Sequence, residues 1–374
     1  VKRSLSPEEL GRHDFHRILL IKPSSLGDVV HALPVLHGLR RRYPSATIDW
    51  LISTALAPLL EGHPDLDKLV PFDRRRYAQL AWNPWAAAEF AAFVRRLRAA
   101  KYDLVIELQG LFRTGFFART TGASVRIGPS DAREGASWFY SHRIPSRPAD
   151  THAADRNLAV AELLGFEDAP LEFNLGLTDT DRASAADLLS NARIGDARPL
   201  IAVLPGARWD TKMWPAERFA QVIDELQENQ GRCVLIGGPN EQGLCRRVGG
   251  LCRTRPADLC GRTGLRQMAA ILERADLVLG HDSGPMHVAV ALGRPVVCII
   301  GPTNPTRTGP YRCPDSIVRL DLDCAPCYFK KLSQCPYDHR CMRELEPDRV
   351  TAAVQRALHA KSTTQAADIA VGSR

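Results

Sequence analysis

Short apolar runs alternate along the chain with longer stretches whose apolar residues recur at helical spacing. "RILLIK" (17–22), "TIDWLIS" (47–53), "DKLVPFD" (67–73) and "YDLVIELQG" (102–110) have the length and β-branched character of strands. Between them, "VVHALPVLHGLRRRY" (29–43) sets Ala32, Val35, Leu36 and Leu39 on one helical face. "WAAAEFAAFVRRLRAA" (85–100) predicts an amphipathic helix of strong helix formers, and "HAADRNLAVAELLGF" (152–166) a helix closed by Gly165. The second half repeats the rhythm. "LIAVLPGA" (200–207), "CVLIGG" (233–238), "LVLGHDSG" (277–284) and "PVVCIIGPTNP" (295–305) predict strands with their exit loops. "PAERFAQVIDELQENQG" (215–231), "LRQMAAILERAD" (265–276) and "GPMHVAVALG" (284–293) predict helices.

Strands separated by helices of this length imply parallel sheets with right-handed crossovers, an α/β architecture. Two such domains are expected, 15–180 and 195–345, with the boundary in 170–198, where the pattern is polar and irregular. The segment 346–374 is expected to hold a closing helix, "PDRVTAAVQRALHA" (347–360), and a mobile tail with little to bury. Ligands of open α/β sheets bind at the carboxyl ends of the strands, so a cleft between the domains is the expected site.

Composition narrows the function classes. The chain has 374 residues, 45% hydrophobic and 24% charged, and no run approaches a membrane span. The beginning, "VKRSLSPEELGRHDFHR", has no signal-peptide core, and a cytoplasmic location is expected. The net charge of +7, with Arg clusters at 40–42, 74–76 and 95–98, admits nucleic acid, anionic membrane or an anionic substrate. No RNA-recognition or zinc-finger spacing supports nucleic acid, so an acidic small molecule or lipid headgroup is the better expectation, and a solvated helix face the plainer one for any single cluster. The ten cysteines are not a disulfide scaffold. Cys233 and Cys298 lie in strand-like runs as buried thiols, and four others cluster in "CAPCYFKKLSQCPYDHRCM" (324–342).

Three strand exits carry candidate chemistry. "KPSSLGD" presents one carboxylate, Asp28, at the first strand-to-helix turn, as a catalytic base or a helix-capping group. His31 follows, either bordering the site or packed. "GHDSGPMH" sets Asp282, Ser283, Gly284 and His287 at a helix start, which suits a phosphate or is an ordinary capped helix with His287 packed one turn in. "PGARWDTKMWP" brings Lys212 between Trp209 and Trp214, able to neutralise a diphosphate. "GGPNEQ" offers Glu241 to ribose hydroxyls, or as a solvated first-turn carboxylate. A dinucleotide fingerprint and a Walker A loop are both absent, which disfavours a nicotinamide-dependent oxidoreductase.

"SSLGDVVHALPVL", "YDLVIELQGLFRTG", "TKMWP" and "HDSGPMHVAVALGRPVVCIIGPTNP" together resemble the bacterial lipopolysaccharide heptosyltransferases, the inverting family 9 glycosyltransferases, across about 17–345. "SSLGDVVHALPVL" followed by "IDWL" is most similar to the heptosyltransferase I branch, which adds the first heptose to Kdo on lipid A. The resemblance implies a GT-B fold of two Rossmann-like domains and a metal-independent transfer. It implies Asp28 as general base and ADP-heptose held by Lys212, Asp282, Ser283, Gly284 and His287, with Glu241 on the ribose and Thr263 near adenine. Acceptor phosphates and carboxylates would meet Lys22, Arg74, Arg75, Arg76, Arg126, Arg133 and Arg143. The implied partners are this nucleotide sugar and an anionic lipid-linked glycan, with peripheral contact at the cytoplasmic face of the inner membrane. The chain departs from heptosyltransferase I at Cys324, Cys327, Cys335 and Cys341, whose spacing admits a structural zinc or reduced thiols. It also departs at Ala207 and Arg208, where that branch is richer in hydroxyls. Another nucleotide sugar and glycan, or a non-catalytic sugar-nucleotide-binding protein, are the alternative readings.

Overall fold

Six strands build a parallel sheet in the first half: β1 (Arg17–Ile21), β2 (Thr47–Ser53), β3 (Lys68–Phe72), β4 (Leu104–Glu107), β5 (Val125–Pro129) and β6 (His142–Ile144), in the order β3-β2-β1-β4-β5-β6. Six more build a second: β7 (Leu200–Leu204), β8 (Arg232–Leu235), β9 (Ala257–Asp258), β10 (Leu277–His281), β11 (Val296–Ile299) and β12 (Ile317–Val318), in the order β12-β11-β10-β7-β8-β9, again parallel. This computed structural model describes residues 5–196 and 198–371, with side chains through residue 360 apart from that of Pro7. The chain divides into two compact units, Val1–Gly176 and Leu177–Arg374. No helix among the described residues is long and apolar enough to cross a membrane.

The central strands are apolar on both faces because helices cover both: β7 and β10 are buried at every position and β1 at all but its first. In the first unit an interior cluster joins Phe72 and Phe117 to Phe93 on the helix Pro84–Ala99. In the second, Phe219, Ile223 and Leu226 of the helix Ala216–Glu228 pack on Ile201, Val203 and Leu279.

The structure departs from the sequence pattern where local signals are weak or broken. The stretch 29–43 is two helices, Leu26–Val30 and Leu33–Arg42, because Pro34 cannot continue a helix through its missing N–H but suits the first turn of a new one. The stretch 152–166 is likewise split, into Ala153–Leu158 and Ala161–Leu164, with Gly165 in the left-handed conformation at its end (φ 70°) as expected. The polar segment taken as a boundary contains the helix Asp179–Asn191. Only Ala185 and Leu189 are buried along it, and it is fastened through Asp181 to Arg266 (2.6 Å) and through Arg182 to Glu273 (2.8 Å). The strands β5, β6, β9 and β12 had no periodic signal; three of the four are only two or three residues long. The last helix runs from Pro347 to Val371, so the backbone expected to be a mobile tail is helical to that residue, and 372–374 lie outside the described residues.

Candidate active site

In each unit the strand order reverses beside the first strand, between β1 and β4 and between β7 and β10. At such a switch point the exit loops diverge and leave a crevice at the carboxyl ends of the strands. Each unit places a lysine across its switch point.

In the first unit this is Lys22, the residue after β1. It is buried, and its ammonium donates to the carbonyl of Leu108, just beyond β4, at 2.7 Å. Its Nζ also lies 3.7 Å from Asp28 Oδ1. Asp28 stands at the third position of the helix Leu26–Val30, and its Oδ2 accepts from the Ser25 N–H (2.9 Å) and the Ser25 hydroxyl (2.7 Å). The capping role is therefore real. It uses one carboxylate oxygen and leaves the side chain 39% exposed. His31 is buried, its ring edge-on to that of His152 with centroids 4.9 Å apart, so it packs inside the unit.

The Leu108 turn is held by a residue that sequence reasoning missed. Glu107 is fully buried at the end of β4, and its carboxylate accepts from the Gln109 N–H (2.6 Å), the Gly110 N–H (2.9 Å) and the Tyr140 hydroxyl. Burial raises its pKa, against the pull of these donors. Gly128 lets Tyr140 reach it, since a Cβ there would collide with the phenol ring.

The expected acceptor residues separate into groups. Arg74, Arg75, Arg133 and Arg143 are exposed. Arg76 forms a two-point pair with Glu89 (2.7 and 2.9 Å). Arg126 lies near the amino end of β5 and donates to the carbonyls of Phe139 (2.7 Å) and Ala123 (2.5 Å), which places it in holding that turn rather than at the carboxyl edge.

In the second unit Lys212 follows β7 and meets Asp282, the residue after β10. Its Nζ donates to Asp282 Oδ2 at 2.7 Å and to the Asp282 carbonyl at 3.1 Å, and lies over the Trp209 ring. Two of its three N–H donors are thus engaged with Asp282. Asp282 is a hub: Oδ2 also accepts from the hydroxyls of Thr303 (2.9 Å) and Thr308 (3.0 Å), and Oδ1 lies 3.3 Å from His287 Nε2. Burial alone would raise its pKa, but the His287 hydrogen bond and the Lys212 charge hold it well below the usual carboxylate range. Thr303 and Thr308 were not singled out from the sequence, although "GPTNPTRTGP" carries both. The helix Gly284–Ala291 begins at Ser283, whose hydroxyl makes no cap bond. That oxygen is buried and has no hydrogen-bond partner among the described residues. A buried hydroxyl at a helix start can receive an anionic ligand.

Glu241 lies across the exits of β7 and β8. Its Oε2 accepts from the Gly238 N–H (2.6 Å), and a Cβ at Gly206 would collide with its carboxylate. Thr263 is half-buried in the turn before the helix Leu265–Arg274, at the exit of β9. All seven expected donor-site residues therefore lie on segments leaving one edge of one parallel sheet, Gly284 and His287 in the first turn of the helix there.

His281, the last residue of β10, supports this arrangement. It is fully buried, and its Nε2 accepts from the Trp214 N–H (2.8 Å), which anchors the loop carrying Lys212. Burial lowers its pKa from 6.5 to about 4. Between these values the unfolded chain binds the proton and the folded chain does not. Stability is therefore full above about pH 6.5 and falls by up to about 3 kcal/mol as the pH drops to about 4. Urea denaturation across this range is expected to show that slope, and His281→Asn to flatten it; an equal slope in the variant would refute the assignment.

The cysteine-rich segment packs on the same loop. His339 Nε2 lies 2.6 Å from the Thr211 carbonyl, the Thr211 hydroxyl donates to the Phe329 carbonyl, and Lys330 lies over the Trp209 ring. Cys341 is pushed up to about 11 by burial and by the nearby sulfurs of Cys327, Cys335 and Cys324. The other three sulfurs lie near Cys341 without the mutual spacing of a ligand set. Among the described residues, the only three or more His, Cys, Asp or Glu side chains with ligand atoms within 4.8 Å of one another are Cys245, Asp258 and Cys260, whose thiols belong to the core.

Known proteins share this organisation. The model of glycosyltransferase family 9 (heptosyltransferase) matches residues 90–338. Lipopolysaccharide heptosyltransferase 1 of Pseudomonas aeruginosa is 31% identical over 365 residues, spanning 93% of this chain and 99% of that protein. A family 9 glycosyltransferase from Veillonella parvula superposes with a TM-score of 0.78 at 27% identity, covering 93% of this chain and 98% of that one. The E. coli heptosyltransferase WaaC, solved with ADP, gives 0.71 at 26% identity, covering 91% and 99%. The α/β fold expected from the sequence pattern is thus of GT-B type, as the family resemblance implied. Matched by the family model over most of its length and by a relative this similar, the chain belongs to glycosyltransferase family 9, the heptosyltransferases.

Proposed function

We propose that the chain transfers heptose from ADP-heptose to the Kdo/inner-core region of lipopolysaccharide, by an inverting, metal-independent displacement at the cytoplasmic face of the inner membrane. Asp28 takes the proton of the acceptor hydroxyl. The hydroxyl oxygen attacks the anomeric carbon from the face opposite the diphosphate, and ADP leaves. A single base suffices for inversion. The third N–H of Lys212 and the start of the helix Gly284–Ala291 meet the charge that develops on the leaving diphosphate. Glu241 takes the ribose, Thr263 borders the adenine, and Lys22, Arg74, Arg75, Arg133 and Arg143 face acceptor phosphates and carboxylates. The observations that carry this reading are, in the first unit, a carboxylate left 39% exposed at the switch point and, in the second unit, an ammonium beside a buried hydroxyl with no hydrogen-bond partner among the described residues.

The test is a donor screen with purified lipid A–Kdo acceptor. Transfer from ADP-heptose with inversion, undiminished by chelator, is the expected result. Transfer only from another nucleotide sugar would assign another glycan. Tight ADP binding with no transfer from any donor would make the chain a binding protein.

The CxxC spacing of Cys324 and Cys327, with Cys335 and Cys341 following in the same segment, supports a structural zinc on these four, which would brace the Lys212 loop and take no part in the displacement. Elemental analysis is expected to find about one zinc per chain, lost in Cys324→Ser/Cys327→Ser together with thermal stability. Metal-free protein with an unchanged melting temperature would refute it.

A further inference from the structure

The most exposed large apolar side chains among the described residues are three tryptophans of the first unit: Trp138, Trp85 and Trp82, at 81, 76 and 73% exposure. The interior of the unit is complete without them. The helix Pro84–Ala99 that begins beside Trp82 and Trp85 buries Phe93 and packs Phe90 against the rings of Tyr77 and Phe117, so its inward face is already filled. Trp138 stands on the turn Ala136–Phe139, and Phe112, 47% exposed, meets the Phe139 ring edge-on beside it.

These residues share one edge of the unit. Trp82 and Trp85 follow the exit of β3, which in this parallel sheet lies on the edge that carries Lys22 and Asp28. Trp138 belongs to the connection from β5 to β6 and is tied to that edge through the adjacent Phe139, whose ring meets Phe112 at the start of the helix that follows β4. Contacts connect them: the Phe112 N–H donates to Glu134 on the Trp138 loop (3.2 Å), and the neighbouring Arg113 lies over the Phe72 ring at the end of β3. The segment between is basic, with Arg74, Arg75 and Arg76 against Asp73 in 73–85. Arg74, Arg75 and Arg133 are exposed, and the buried Nε of Arg113 has no hydrogen-bond partner among the described residues.

We propose that this edge is a membrane-contact platform, with the indoles of Trp82, Trp85 and Trp138 seated at headgroup level in an anionic bilayer and the arginines among them attracted to its phosphates. Separated indoles set in a basic surround match a bilayer interface, where an amphipathic ring has one end apolar and the other wet. A protein partner would instead be met by a contiguous apolar patch. The inference deepens the proposed function, because a lipid-linked acceptor would then reach Asp28 from the surface on which the unit rests.

The experiment is co-sedimentation of the full chain with phosphatidylglycerol-containing and with pure phosphatidylcholine vesicles, for the wild type and for Trp82→Ala/Trp85→Ala/Trp138→Ala. The wild type is expected to bind the anionic vesicles preferentially, and the triple variant to lose about tenfold or more in partitioning. Its melting temperature and its transfer to a soluble, deacylated acceptor glycan are expected to stay unchanged. No preferential binding by the wild type, or equal binding by the variant, would overturn the platform. So would a wild-type self-association that the triple variant abolishes, which would assign the indoles to a contact between copies. Absence of heptose transfer to any acceptor would refute the proposed function and leave the vesicle arm to decide the platform by itself.

Discussion

Asp28→Asn is expected to lower turnover by about 10²–10⁴-fold, the usual contribution of a positioned general base, and to leave the fold unchanged. The choice of asparagine follows from the geometry. Oδ2 of Asp28 accepts the Ser25 N–H at 2.9 Å, a bond that ties down the start of the helix Leu26–Val30. An amide oxygen in the same place still accepts that bond, whereas alanine would remove the cap together with the base and confuse two effects. The substitution therefore keeps the capping role and deletes the ability to take a proton; the negative charge 3.7 Å from Lys22 goes with it, while the Lys22 bond to the Leu108 carbonyl stays. The measurement is steady-state transfer with donor and acceptor varied separately, beside a thermal melt. Lower kcat, a donor KM near the wild-type value and an unchanged melt are the expected set. Wild-type turnover in Asp28→Asn would show that Asp28 is a cap and nothing more.

Lys212→Ala is expected to damage both stability and donor binding. The Lys212 and Asp282 side chains are 15% and 4% exposed, and Asp282 keeps its negative charge through the groups around it. Removing one partner of a buried pair leaves the other charge uncompensated, at a cost of about 3–5 kcal/mol. The hydroxyls of Thr303 and Thr308 and the His287 ring remain on Asp282 and keep the loss toward the lower end of that range. Lys212→Met/Asp282→Leu removes both charges and is expected to recover much of the stability, but not ADP affinity or transfer, because the ammonium proposed to meet the diphosphate is still missing. Denaturant unfolding and calorimetric ADP titration separate the two effects. If Lys212→Ala unfolds and binds ADP like the wild type, the pair has neither role.

The two units answer the same problem in related ways. Each sets a lysine across the switch point of a parallel sheet, where exit loops from two adjacent strands must be tied together without closing the crevice. In the first unit the lysine donates to a backbone carbonyl and stands beside a half-open carboxylate. In the second it is matched by a buried, saturated carboxylate. The first arrangement leaves a carboxylate reachable for proton transfer, and the second keeps its carboxylate ionised and out of reach. That difference in burial is the physical basis of the proposal that the base belongs to the first unit and the leaving-group contacts to the second.

Much of this was present in the sequence. The alternation of apolar runs with helical periods determined the α/β class, because both periods are local properties of a few residues. The placement of Asp28, Lys212, Glu241, Thr263 and Asp282–His287 at strand exits was legible for the same reason: an exit is marked by the end of an apolar run and the capping residues after it. What the neighbours of those residues would be was not legible. Lys22 meets a carbonyl 86 positions away and Lys212 a carboxylate 70 positions away, and both meetings depend on which strands pair. Thr303 and Thr308 reach Asp282 only because β11 lies beside β10. Arg76 looked like its two neighbours in the arginine run until the fold set Glu89 against it. Local periodicity fixes what each segment becomes; strand order, a global choice made by burying both faces of the sheet, decides which charges find partners and which are left for a ligand.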